Sequence, residues 1–135
     1  MGFFDFFKSK SNQGQFVEEK AFNKNLQNQM KMTPSTLKQL REIGVSSDKQ
    51  LKLEFFFYTN TLEKAEQLSS QLQKLDYQSD HGFAAGSKTE YIVNGWTSKM
   101  EMSDEEVSNW TKEMCEIGYK FDCEFDGWGT TPNQD

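Results

Sequence analysis

Three carboxylates at alternate positions, Asp122, Glu124 and Asp126, stand close together near the end of this sequence. Acids so close together could divide general-acid and general-base roles in a hydrolysis. That chemistry needs one of them perturbed by burial or by its neighbour, and a nucleophile or water-activating partner within reach. The sequence offers little of this. His81 is the only histidine and lies far from the acids, and there is no glycine-rich phosphate loop. Cys115 and Cys123 form no CxxC and have no nearby histidine to complete a zinc site. The chain is therefore expected to be non-enzymatic, to use no metal or cofactor, and to keep both cysteines as buried free thiols in a reducing, cytoplasmic setting.

The remaining chemistry for such acids is recognition. Phe121, Cys123 and Phe125 alternate with Asp122, Glu124 and Asp126, the period-two pattern of a strand with one dry and one wet side. Residues 101–135 hold ten acids against two lysines within a chain of net charge −6, a field that repels phosphate backbones and attracts basic surfaces. Direct binding of nucleic acid is accordingly not expected, and a protein partner is. Trp128 stands between Gly127 and Gly129, where the backbone can turn and fold the indole back as a lid, or present it as an anchor for a partner.

The elements that must position these residues follow from periodicity and caps. With 135 residues, 19 of them aromatic, the chain can bury one core without disulfide staples. Residues 1–32 read as an arm, partly helical or flexible, with Phe22, Leu26 and Met30 spaced for a polar helix. Thr33-Pro34 reads as a helix start and Gly44 as its end, giving a short helix over 34–43. Leu51 to Tyr58 alternates as a strand. Asn60 and Glu63 then cap a helix carrying Leu62, Ala65, Leu68, Leu72 and Leu75. Two strands between Tyr77 and Met102 flank a turn at Ala85-Gly86-Ser87-Lys88. Ser103 to Glu106 forms a capping box for a helix buried through Val107, Trp110, Met114 and Ile117 and ended by Gly118, and the last strand runs from Tyr119 to Gly127.

This βαββαβ order, preceded by an N-terminal helix, predicts an α+β ferredoxin-like sandwich: a four-stranded antiparallel sheet with two helices on one face. The usual strand order places the last strand beside the first, so the acids would flank Phe56 and Tyr58. Aromatic rings bordered by carboxylates suit a partner that brings Arg or Lys. The candidate partner-binding set is thus Asp122, Glu124, Asp126, Trp128, Phe56 and Tyr58. The simpler alternative is a solvated strand face, with Phe56 and Tyr58 lying under the first helix.

Three stretches carry a family resemblance: KFDCEFDGWGT near the end, TLKQLREIG before the first strand, and EFFFYTNTLEKAEQLSSQLQKLDY after it. Over residues 33–130 the chain resembles the RraB family of regulators of ribonuclease E activity, leaving 131–135 as a short tail. The resemblance implies a ferredoxin-like fold, a cytoplasmic setting, no catalysis, and a protein partner, ribonuclease E. It carries over no site beyond Asp126, Gly127, Trp128, Gly129 and Thr130. A different partner for the same scaffold, as in an immunity-type module, is the alternative. Finally, MGFFDFFKSK clusters Phe3, Phe4, Phe6 and Phe7 beside two lysines. Such a segment could rest on an anionic membrane, or cover the open sheet face of its own or a neighbouring molecule. Phe6 stands where the myristoylation pattern needs Ser or Thr.

Overall fold

The computed structural model describes residues 14–134, so Phe3, Phe4, Phe6 and Phe7 lie outside the described residues. The described chain is α+β. Helix α1 spans Glu19–Glu42, strand β1 Gln50–Leu51, β2 Glu54–Thr59, helix α2 Leu62–Gln73, and strands β3 Gln78–Phe83, β4 Tyr91–Trp96 and β5 Met100–Glu101. Helix α3 Asp104–Lys120 and strand β6 Glu124–Gly129 complete it. The main sheet has the order β3-β4-β2-β6, with every neighbour antiparallel, and β1 pairs with β5 in a second, two-stranded sheet.

Alternation sets the layers. Leu51, Leu53, Phe55, Phe57 and Thr59 are all buried, while the residues between them are exposed or half-buried. The expected single strand from Leu51 nevertheless breaks at Lys52, because the chain changes partners there. Leu53 exchanges bonds with Thr97, its N–H donating to Oγ1 at 2.9 Å and its carbonyl accepting from the Thr97 N–H at 2.9 Å. Phe57, Phe125, Trp110 and Trp128 form an aromatic ladder, with centroids 5.2, 6.0 and 6.3 Å apart and the last two pairs nearly perpendicular. Edge-to-face pairs of this kind add to the free energy already gained by burial.

The helix starts follow local capping chemistry. Ser103 Oγ accepts from the Glu106 N–H at 3.2 Å, as its capping box requires. For α2 the cap is Thr61, one residue later than expected, and Asn60 Oδ1 instead accepts from the Lys64 ammonium at 2.8 Å. Gly44, at φ 96°, closes α1 in the left-handed conformation with Val45 N–H bonded to Leu40 C=O at 2.9 Å.

Two expectations are corrected by tertiary contacts. Thr33-Pro34 does not start a helix: α1 runs through it from Glu19. An interior proline costs about 3 kcal/mol through a lost hydrogen bond and a clash, yet the turns before it are held from outside. Phe22 stacks on Tyr119 at 4.3 Å, Asn25 donates to the Phe125 carbonyl at 2.8 Å, and Thr33 Oγ1 bonds both Thr111 and Trp128. Gly118 does not end α3 either. It lies inside the helix, and glycine is required there because a β-carbon would stand 2.9 Å from the Phe57 ring and 2.8 Å from the Cys123 carbonyl oxygen.

The Gly118→Ala change is expected to destabilise the fold by about 1–3 kcal/mol through overpacking, although alanine is the better helix former. Urea denaturation should show a lowered midpoint with an unchanged slope.

Candidate functional site

The helices leave one side of the main sheet open. Phe57 meets Gly118 of α3, Ser69 Oγ of α2 bonds Ser79 Oγ at 2.9 Å, and Trp128 reaches α1, so the faces bearing these residues are covered. The alternate residues face away. In register across the sheet, Tyr58 lies between Ile92 and Glu124, Phe56 between Asn94 and Gly127, and Glu54 between Trp96 and Gly129. Phe56, Tyr58, Ile92 and Trp96 are all half-buried. A central aromatic row thus lies in partial contact with water, with Glu124 and Asp126 along one edge.

The six expected binding residues divide between two places. Phe56, Tyr58, Glu124 and Asp126 come together on this face. Asp122 does not belong to the outer row, because the strand begins only at Glu124. Asp122 sits at φ 59° in the turn that ends α3, with its N–H bonded to Tyr119 C=O at 3.0 Å and the Cys123 N–H bonded to Gly118 C=O at 2.8 Å. This is the Schellman arrangement, with aspartate in the left-handed position more often held by glycine. Its carboxylate accepts from the Phe16 and Val17 N–H groups, both at 2.7 Å, and pairs with Lys64 at 2.6 Å. Those bonds commit Asp122 to holding the fold.

Trp128 is placed on the covered side. Strand β6 is irregular where Phe56 and Phe57 face it, and Gly127 there adopts φ 126°, a conformation that favours glycine. The extra residue turns Trp128 toward the helices, where its indole N–H donates to Thr33 Oγ1 at 2.9 Å. The alternation of Phe121 to Asp126 gave no sign of this bulge. The paired glycines around Trp128 were the available signal for it.

The two acids on the face are electrostatically unsettled. Partial burial raises the Glu124 carboxyl above the usual carboxylate range, with smaller contributions from Asp126 and Glu90, and partial burial alone raises Asp126. For such a group the ionised form is the costly one in the folded state. The stability each of these carboxyls contributes is therefore fully present below its ordinary value and is lost as pH rises through the raised folded value. A cationic partner would offset that cost. Sequence reasoning did not single out Ile92 and Trp96, which join the aromatic row from β4. Trp96 also borders a shallow cleft of about 310 Å³ with Lys52, Gln78, Lys99 and Gln134.

The two thiols are held protonated by burial. Cys115 and Cys123 are free and buried, and burial pushes both thiols up to about 12. Among the described residues no cluster of His, Cys, Asp or Glu could hold a metal ion, and no helix is long and apolar enough to cross a membrane.

The described chain is thus a small α+β scaffold with a half-exposed, largely aromatic row edged by acids and two buried free thiols. Its family is specific: residues 30–130 match the family RraB, regulator of ribonuclease activity B, and the chain belongs to that family. No curated protein matches the chain.

The acids should separate on mutation. Asp122→Ala is expected to lower stability by about 1–3 kcal/mol, because it leaves partly buried donors unpaired. Glu124→Gln and Asp126→Asn should leave the thermal midpoint at neutral pH unchanged or raised, which calorimetry would establish.

Proposed function

We propose that this chain is a non-enzymatic regulator that binds a ribonuclease through the open face of its sheet, with ribonuclease E as the partner. The observation that carries the reading is the row Phe56, Tyr58, Ile92 and Trp96, half-exposed and edged by Glu124 and Asp126, whose carboxyls partial burial raises. Family membership supports a regulatory role in RNA degradation. The order β3-β4-β2-β6 supports reading the domain as a ferredoxin-like sandwich, and RNA degradation suits a cytoplasmic setting.

On this reading regulation requires no chemistry from the regulator. An arginine- or lysine-bearing segment of the ribonuclease lays its apolar parts on the aromatic row and its charges against Glu124 and Asp126. Specificity and association rate then come from the field, and residence time from the rings. Occupying a basic surface of the ribonuclease also competes with RNA for it, since RNA is drawn to such surfaces by charge.

Purified ribonuclease E and the intact chain are expected to form a complex detectable by calorimetry. Combining Tyr58→Ala, Glu124→Gln and Asp126→Asn should weaken it by roughly tenfold or more and flatten its salt dependence. Absence of any complex with the wild-type chain would exclude ribonuclease E, and equal affinity in the triple variant would exclude this face. The affinity should also fall as pH drops through the raised carboxyl values of Glu124 and Asp126, beginning at higher pH than for ordinary carboxylates.

A further inference from the structure

Along its paired rows the open face carries charge of one sign. Asp80 of β3, Glu54 of β2 and Glu124 of β6 stand there in register with Asn94, Trp96 and Tyr58. Asp126 and Glu90, the residue before β4, are both near enough to Glu124 to raise its carboxyl. The rows of this face include no lysine or arginine. Lys88 belongs to the turn between β3 and β4, and Lys52 and Lys99 line the cleft beside Trp96. Among the described residues none of the five carboxylates has a cation within ion-pair distance. Acids therefore bound the apolar row on both margins, while lysines close one end.

The dimensions of this surface are those of a helix. Strands lie about 4.8 Å apart, so the margins on β3 and β6 are separated by about 14 Å, and a helix with its side chains is about 10–12 Å wide. Gly82 on β3 and Gly129 on β6 leave the margins low at two further points, since a β-carbon added at either meets nothing within 4 Å. The six-residue strands β2 and β4 are about 20 Å long, the length of about 13 helical residues.

An extended segment suits the surface less well. The peptide groups of β2 and β4 are spent on the strands to either side, so a strand laid on them would bury its own donors and acceptors without partners. A helix arrives with those groups already bonded and turns one apolar stripe to the rings. Its dipole also has a favoured direction here. Partial positive charge at the N-terminus suits the acids at the Tyr58 end, and partial negative charge at the C-terminus suits Lys52 and Lys99.

We propose that the segment bound by this face is an amphipathic helix of about 13 residues lying along β2 and β4, its N-terminus over Tyr58 and its C-terminus toward the cleft of Lys52 and Lys99. Basic residues flanking its apolar stripe meet Asp80 on one side and Glu124 and Asp126 on the other. That occupant rests on the reading of this face as the binding surface, whereas its conformation, charge pattern and direction do not depend on its being ribonuclease E.

A synthetic peptide tests the helix without any ribonuclease. The probe is about 13 residues long and blocked at both ends, with leucines at i, i+3, i+4 and i+7 and arginines on both flanks. Calorimetry with the intact chain is expected to show a complex, and circular dichroism a gain in peptide helicity on binding. Proline at the centre of the peptide breaks the helix without removing charge and should weaken the complex roughly tenfold or more. Asp80→Asn and Glu124→Gln, on opposite margins, should each weaken it several-fold. A nitroxide at the peptide N-terminus should broaden the NMR signals of Tyr58 and Ile92, and one at its C-terminus the Trp96 indole signal. Absence of a complex, equal affinity for the proline peptide, unchanged affinity in Asp80→Asn or the reverse pattern of broadening would each overturn the proposal. So would a dimer in sedimentation equilibrium that the peptide fails to dissociate and that Tyr58→Ala abolishes, which would assign the face to a second copy. Ribonuclease E is the separate arm. If the peptide binds as described and ribonuclease E does not, the helix stands and the ribonuclease reading falls. If ribonuclease E binds this face and prolines placed in its bound segment leave the affinity unchanged, the reading stands and the helix falls.

Discussion

The conformation of Asp122 is the constraint on which the rest of the molecule depends. One residue in the left-handed region ends α3, turns the chain and sets the residue at which β6 begins. Its carbonyl accepts from Thr59 Oγ1 at 2.8 Å, which ties the end of the central strand to the same turn. Its carboxylate holds the start of the described chain and draws Lys64 in from α2. Three segments far apart in sequence, the start of the described chain, the β2–α2 connection and the α3–β6 turn, are thus located by one side chain and one peptide unit. Isolated surface ion pairs contribute little. This one is sheltered and shares its carboxylate with two backbone donors, so removing the carboxylate leaves several polar groups unpaired at once.

From that turn the division of the sheet follows. Because β6 starts at Glu124, Phe125 enters the core and Glu124 faces water beside Tyr58. The bulge at Gly127 then shifts the phase, sending Trp128 to the helices. Aromatic burial on one side and an aromatic row on the other are therefore two outcomes of a single strand with a change of register. The buried side is closed by helices that approach as near as Gly118 allows. The other side keeps its rings half in water, which is unfavourable for a protein that works alone and favourable for one that works by contact.

Much of this was legible in the residues. The alternation from Leu51 to Tyr58, the Ser103 capping box and the Gly44 termination each arise from local rules that the folded chain obeys, and the stretches of family resemblance lie within the matched region. The failures share a different cause. Pro34 lies within a helix because Tyr119, Phe125, Thr111 and Trp128 hold that helix from distant positions. Gly118 resembles a terminator, but its meaning depends on a phenyl ring some sixty positions earlier. Asp122 fits the alternating pattern of its neighbours, and only the turn's geometry takes it out of the strand. Local chemistry can be read one segment at a time, whereas these three residues answer to partners that only the fold brings near. Ile92 and Trp96 were missed for the same reason, since their place in the row is a matter of cross-strand register.

The bond from Asn25 to the Phe125 carbonyl has a consequence for assembly. A sheet can recruit further strands at any edge whose peptide groups lack partners. Here α1 occupies part of the β6 margin through the Asn25 side chain, and β3 is the outermost strand opposite. A strand added at β6 would first have to displace Asn25 from the Phe125 carbonyl, whereas β3 at the other margin pairs only with β4 in the sheet order. The helix that steadies β6 thus makes the two margins of the sheet unequal.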